Sequence, residues 1–129
     1  MEECIFCKII KGEIKAEKIY EDEIFLALLD VRPIKPGHLL VIPKKHSEYL
    51  FDLPNLEYSA LMLKSKELAI MLKEKLNPQK IGLSVEGFGV PHAHIHLIPI
   101  DHPKEMDPNK AKESSPQELK DIAQKINSK

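Results

Sequence analysis

A chain of 129 residues, with 19 basic and 20 acidic side chains and a net charge of −1, has room for one domain with a true core but not for two. That balance argues against nucleic acid or an anionic membrane as the main partner. Met1-Glu2-Glu3-Cys4 has neither a basic start nor an apolar stretch behind it, and the longest apolar run, Ile24 to Leu29, is far below a membrane span, so a soluble, cytoplasmic protein is expected.

In chain order, Cys4 to Lys11 carries Ile5, Phe6, Ile9 and Ile10 at the spacing of a short amphipathic helix, with Gly12 as its stop. Lys18 to Glu21 reads as a strand, Asp22-Glu23 as a turn and Ile24 to Asp30 as a more buried strand, together a hairpin. Two prolines and a glycine make Arg32 to Gly37 a loop. His38 to Pro43 is a third strand, buried by its composition. A long helix is predicted from Pro54-Asn55 to about Leu76. Leu56, Ala60, Leu63, Ile70 and Met71 recur at helical spacing in it, Leu61, Leu68 and Leu72 widen the stripe, and Lys64, Lys66, Lys73 and Lys75 occupy the solvated face. Asn77-Pro78 ends it. Ile81 to Glu86 is a fourth strand, Gly87-Phe88-Gly89 a short loop, and the segment leading to Pro99 a fifth strand. Asp101 to Ser114 is polar and lysine-rich and is expected to be a mobile linker. Ser115-Pro116-Gln117-Glu118 then supplies an N-cap, an N1 proline and an N3 glutamate, and Leu119, Ile122, Ala123 and Ile126 follow as a short amphipathic helix. The order predicts an α+β fold, an antiparallel sheet backed by one long helix.

Chemistry concentrates in Pro91-His92-Ala93-His94-Ile95-His96-Leu97-Ile98-Pro99. Strict alternation is the period of a strand, so the three imidazoles are expected on one face, with Ala93, Ile95 and Leu97 on the other. A lone histidine on a strand is ordinarily surface or satisfied core, but three in alternation each need a partner and do not read as core. If all were charged they would repel, so most stay neutral at pH 7. A neutral imidazole is a nucleophile, a base or a metal ligand. Cys4 and Cys7 form C-x-x-C, which in a small cytosolic protein is a metal half-site or a redox pair. A thioredoxin-like motif follows a strand, and no strand precedes this one. Metal is therefore the better reading, given two further ligands from elsewhere.

The triad, together with CIFCKIIKGEI and YEDEIFLALLDVRPIKPGHLLVIPKKH, resembles the histidine triad (HIT) family, in particular the zinc-containing bacterial type of its nucleotide hydrolase/transferase branch. The resemblance runs from about Cys4 to Pro99. It implies residues 1–100 as a HIT domain, to which the composition adds 101–114 as a polar linker and 115–129 as a C-terminal helix packing on the same domain. It also implies a five-stranded sheet that pairs with a second subunit, so a homodimer. By the same resemblance His94 is the nucleophile, its second ring nitrogen bonds the main-chain carbonyl of His92, and His96 donates to phosphate oxygens. Asp30, which spacing alone reads as a strand-end residue, becomes the ligand of the ribose hydroxyls. Ile5, Phe6, Ile9, Leu28 and Val31 become the walls of a purine slot, though each taken singly reads as plain core. Cys4, Cys7, His46 and His92 match the ligands of a structural Zn²⁺; the other reading is two reduced thiols, with His46 contacting phosphate. His38 reads as structural, and His102 is assigned nothing.

The chain departs from the family before the triad. Where relatives carry an asparagine and a longer glycine-rich loop with a polar residue, this chain has Leu83-Ser84-Val85-Glu86-Gly87-Phe88-Gly89-Val90. Ser84 is the candidate stand-in. The expected substrates are purine nucleotides: nucleoside 5′-phosphoramidates, related NMP–X compounds or dinucleoside polyphosphates. Two other readings stand beside this one: a zinc-dependent hydrolase with the triad as metal ligands, and a non-enzymatic zinc- or nucleotide-binding module.

Overall fold

The computed structural model describes residues 4–85 and 88–128. Five strands, β1 (Lys18–Glu21), β2 (Phe25–Leu29), β3 (Leu39–Pro43), β4 (Lys80–Ser84) and β5 (Ile95–Ile100), form one sheet in the order β1-β2-β3-β5-β4. Every pairing is antiparallel. Three α-helices, α1 (Ile5–Ile10), α2 (Asn55–Leu76) and α3 (Pro116–Asn127), complete the α+β fold expected from the sequence. Glu86 and Gly87, read above as a strand end and a loop, lie outside the described residues, as do residues 1–3 and 129.

The register assigns the two faces of the sheet. Pairing of Ala27 with Val41 and Leu29 with Leu39, then of Leu39 with Leu97 and Val41 with Ile95, puts all six on one face. There they meet Leu61, Leu68 and Leu72 of α2 and Ala123 and Ile126 of α3. Leu26, Leu28, Leu40 and Ile42 point the other way, onto Cys4, Phe6 and Ile9 at the N-terminus. Because β2 and β3 are buried throughout, their sequences are continuous apolar runs rather than alternating ones. Leu40 pairs with His96, so His96 lies on this second face.

Several expectations need correction. In α2 the buried line is Leu61, Ser65, Leu68 and Leu72, while Leu56, Leu63 and Ile70, assigned to the core stripe, are 84, 62 and 52 % exposed. Positions 61 and 63 lie about 200° apart on a helix. The helix is thus apolar on two sides, and its spacing alone does not say which side meets the sheet. The triad is not a continuous strand either: β5 begins at Ile95, so His92 and His94 precede it. Their main chain is taken up locally, His92 N–H donating to Val90 O at 2.8 Å and Ala93 N–H to Ser47 O.

The 101–114 segment does not hang free. Glu105 Oε1 accepts the N–H groups of Asp101 and His102, and Oε2 pairs with Lys35 at 2.9 Å. Met106 lies so close over Gly82 that an added Cβ there would stand 2.1 Å from its sulfur. Lys112 N–H donates to Pro33 O and Ser114 N–H to Val31 O. The segment is largely solvent-exposed but is tied to the domain at these points. α3 then starts on a full capping box, with Ser115 accepting from Glu118 N–H and Glu118 accepting from Ser115 N–H.

Candidate functional site

Three imidazoles reach three different partners from one short stretch of chain. His94 donates from Nδ1 to the carbonyl of His92 at 2.6 Å. A carbonyl only accepts, so the proton sits on Nδ1, and a neutral His94 keeps its lone pair on Nε2. His92 is fully buried and donates from Nε2 to Pro43 O at 2.7 Å. Its Nδ1 lone pair therefore faces the thiols of Cys4, at 3.3 Å, and Cys7, at 3.5 Å. Burial lowers the proton affinity of His92, His46 and His94 lower it further, and the bond to Pro43 works the other way.

Cys4, Cys7, His46 and His92 bring one ligand atom each to within 4.8 Å of the others. Cys7 Sγ lies 3.2 Å from His46 Nδ1. The bond lengths of zinc to sulfur and nitrogen put tetrahedral S···N edges at about 3.6 Å, so this set fits Zn²⁺ with a small expansion. The donor chemistry fits as well, because His92 already offers a lone pair at Nδ1. Burial, followed by the hydrogen bond from Cys4, raises the affinity of the Cys7 thiol for its proton in the metal-free protein; a bound cation would reverse that.

A second cluster, Asp30, His38 and His96, has similar spacing and different chemistry. Ile34 N–H donates to His38 Nδ1 at 3.0 Å, so that nitrogen is an acceptor and the ring proton sits on Nε2. His38 Nε2–H lies 2.9 Å from His96 Nδ1 and 3.6 Å from Asp30 Oδ2. No His38 lone pair faces this cluster, which is a proton-ordered hydrogen-bond set instead of a cation site. Burial, opposed by Asp30 and assisted by His96, pushes the proton affinity of His38 down to about 4. With Nδ1 accepting, a neutral His96 carries its proton on Nε2, as a donor.

His94 and His96 open onto a cavity of about 410 Å³ that Ile5, Phe6, Ile9, Leu28, Asp30 and Val31 also line. The Phe6 ring stands edge-on to His94, centroids 5.2 Å apart. Asp30 is the only carboxylate among the described lining residues, and its Oδ1 accepts Arg32 N–H at 2.9 Å. Gly89 and Val90 also line the cavity wall. Ser84 is not a lining residue but pairs directly with His96 across the β4–β5 ladder. Sequence reasoning read His38 as structural without placing it beside Asp30, a position that was readable: pairing Leu29 with Leu39 sets Asp30 opposite His38 at the hairpin end. It also missed Lys15 and Arg32, cations on the cavity lining.

A five-stranded antiparallel sheet with paired histidines opening onto an apolar slot defines a class of small α+β proteins with a histidine-lined ligand cleft. Residues 11–103 match the HIT domain family, and the chain belongs to that family. It is 43 % identical over 100 residues to an uncharacterised HIT-like protein of Methanocaldococcus jannaschii, covering 74 % of this chain and 78 % of that one. It is 40 % identical over 97 residues to the adenosine 5′-monophosphoramidase of Saccharomyces cerevisiae, covering 74 % and 61 %. A Zn-bound histidine triad family protein from Mycobacterium smegmatis superposes with a TM-score of 0.79 at 28 % identity, covering 97 % and 94 %.

Proposed function

We propose that this protein is a nucleotide hydrolase/transferase of the histidine triad type, cleaving nucleoside 5′-phosphoramidates or related NMP–X compounds and dinucleoside polyphosphates. The carrying observation is the 2.6 Å bond from His94 Nδ1 to the His92 carbonyl, which leaves Nε2 nucleophilic beside the cavity. In the first step Nε2 attacks the α-phosphorus: the N–P bond forms, the P–X bond breaks, and X leaves with a proton as HX. Water then attacks the same phosphorus and releases NMP, so one hard displacement becomes two easier ones. His96 donates from Nε2 to phosphate oxygens as charge builds. Asp30 accepts ribose hydroxyls, and the slot formed by Ile5, Phe6, Ile9, Leu28 and Val31 packs on a purine. Ser84 stands beside His96 for the phosphate or leaving group. Similarity to a phosphoramidase supports this class of reaction.

Cys4, Cys7, His46 and His92 would hold Zn²⁺ with no open position; bound there, it serves as a structural clamp between the N-terminal segment and the triad. The triad rings themselves do not converge on one point, which counts against a three-histidine zinc hydrolase. Both cysteines are unbridged, as a reducing cytoplasm would keep them, and among the described residues no helix is long and apolar enough to cross a membrane. The partner we assign is a second copy of the chain. Leu56, Leu63 and Ile70 of α2 and Leu83 of the edge strand β4 are exposed, apolar area whose burial against a second copy stabilises by roughly 25 cal/mol per Å².

The test is AMP release from adenosine 5′-phosphoramidate by the wild type and by His94→Ala, both with zinc content measured. Loss of turnover by about a thousandfold or more in a folded, zinc-loaded variant supports the nucleophile. A wild type that binds AMP without turnover would give the lead to a binding module.

A further inference from the structure

We propose that the base end of the slot continues into a second binding site, which takes an apolar alkyl or aryl substituent carried on the edge of the purine remote from the sugar. The inference rests on the nucleotide reading above and extends it to a substrate class that reading leaves out. A cavity of about 780 Å³ adjoins the slot, and Ile14, Lys15, Ala16 and Val31 line both. His94, His96 and Asp30 line the slot alone. The two cavities therefore meet away from the phosphate and sugar ends, where the base lies.

The walls of this second cavity come from both ends of the chain and are fixed by main-chain bonds. On one side Gly12, in the left-handed region at φ 83°, turns the chain out of α1, and Glu17 O accepts Leu29 N–H at 3.0 Å just before β1. On the other side Ser114 N–H donates to Val31 O at 2.9 Å, and the capping box of Ser115 and Glu118 starts α3 there. Leu119 packs on the edge of the main core and lines the cavity with Pro116. Ile14, Ala16, Val31, Pro116 and Leu119 give the cavity apolar walls, and its charged lining residues are of both signs. Mixed charges single out neither an anion nor a cation, whereas apolar walls favour an uncharged apolar group that gains by leaving water. Ile14 and Val31 stand 37 and 59 % exposed on the shared rim, apolar surface that such a group covers. The cavity is larger than the slot, so a phenyl ring has room. Because it lies away from His94 and His96, the substituent binds equally in the ground state and the transition state, lowering KM and leaving kcat unchanged.

The experiment titrates the zinc-loaded wild type with AMP and with N⁶-benzyl-AMP by calorimetry. Each buried methylene-sized group is worth about fourfold in affinity, and roughly two such groups from the benzyl ring give N⁶-benzyl-AMP an advantage of about tenfold. Equal affinities, or weaker binding of the benzyl derivative, would overturn the proposal and leave the nucleotide reading standing. In Leu119→Trp, whose indole fills the cavity, the advantage should vanish while AMP affinity is unchanged. A full advantage retained in a variant that still binds AMP would overturn the proposal. A second readout needs no variant and decides the matter if Leu119→Trp does not fold. With the leucine methyl groups labelled, N⁶-benzyl-AMP bound to the wild type should show nuclear Overhauser contacts from its benzyl ring to the Leu119 methyls. Tight binding without those contacts would put the ring elsewhere and overturn the proposal. Failure of both ligands to bind would overturn the nucleotide reading and the proposal with it.

Discussion

Acidification should weaken this fold through His38 before any carboxylate on the sheet is touched. In the unfolded chain the ring takes up a proton below about 6.5; in the folded protein burial holds it neutral down to about 4. Between those values the unfolded state binds one proton more than the folded state, so stability falls as pH falls. The contribution is complete above about 6.5 and is lost progressively on the way to 4. Asp30 and His96 are the titratable groups facing the ring, Asp30 favouring the proton and His96 opposing it. The gap is worth about 3 kcal/mol, with a slope no steeper than about 1.4 kcal/mol per pH unit for a single proton. Urea unfolding of wild type and His38→Asn from pH 7 to pH 4.5, at one fixed zinc concentration, isolates it. Cysteine protonation and metal loss are common to both proteins and cancel in the difference. The wild type should lose about 2–3 kcal/mol more than the variant over that interval. Parallel pH dependences would mean that His38 is protonated inside the fold. The donor–acceptor order from Ile34 to His96 would then be wrong, and the site chemistry built on it would fall.

Zinc should be found at one ion per chain and be lost in Cys7→Ser; chelation should lower the wild-type melting temperature, by about 4 kcal/mol of stability relative to protein in zinc at a thousandfold over Kd, and leave that of the variant unmoved. Gly37→Ala should destabilise by roughly 1–3 kcal/mol from backbone strain alone, because Gly37 has φ +93° and a Cβ there would lie 2.3 Å from Leu76 Cδ1 and 3.2 Å from Pro99 Cγ; an unchanged urea midpoint would refute the close approach. Glu105, held down to about 2 by the Asp101 N–H, Lys35 and the His102 N–H, should keep the 101–114 segment docked until the pH falls below the usual carboxylate range. In Glu105→Gln, hydrogen exchange of the Asp101 and His102 amides should speed up at neutral pH, and equal exchange rates would count against the anchor.

Much of this protein was determined by local chemistry and could be read from its sequence. Proline and asparagine end α2 where they stand, with Asn77 in the left-handed region at φ 57°. Ser115 and Glu118 open α3, and the apolar runs of β2 and β3 announce strands buried on both sides. The alternating histidines and the C-x-x-C marked the two chemical centres, since few other roles need those side chains at that spacing. Tertiary structure decided the rest, because it depends on which groups meet across the fold. Two sides of α2 are apolar, and only packing chose Leu61, Leu68 and Leu72 over Leu56, Leu63 and Ile70. The polarity of residues 101–114 predicted mobility, but whether a polar segment is solvated or hydrogen-bonded to the domain is settled by partners remote in sequence, such as Lys35 and Pro33. Most of all, a histidine's chemistry is set by which nitrogen holds its proton, and that depends on its neighbours. Pro43 O turns His92 toward the cysteines, His92 O frees one nitrogen of His94, and Ile34 N–H, acting through His38, makes a donor of His96. Three like residues in a row thereby acquire three different functions.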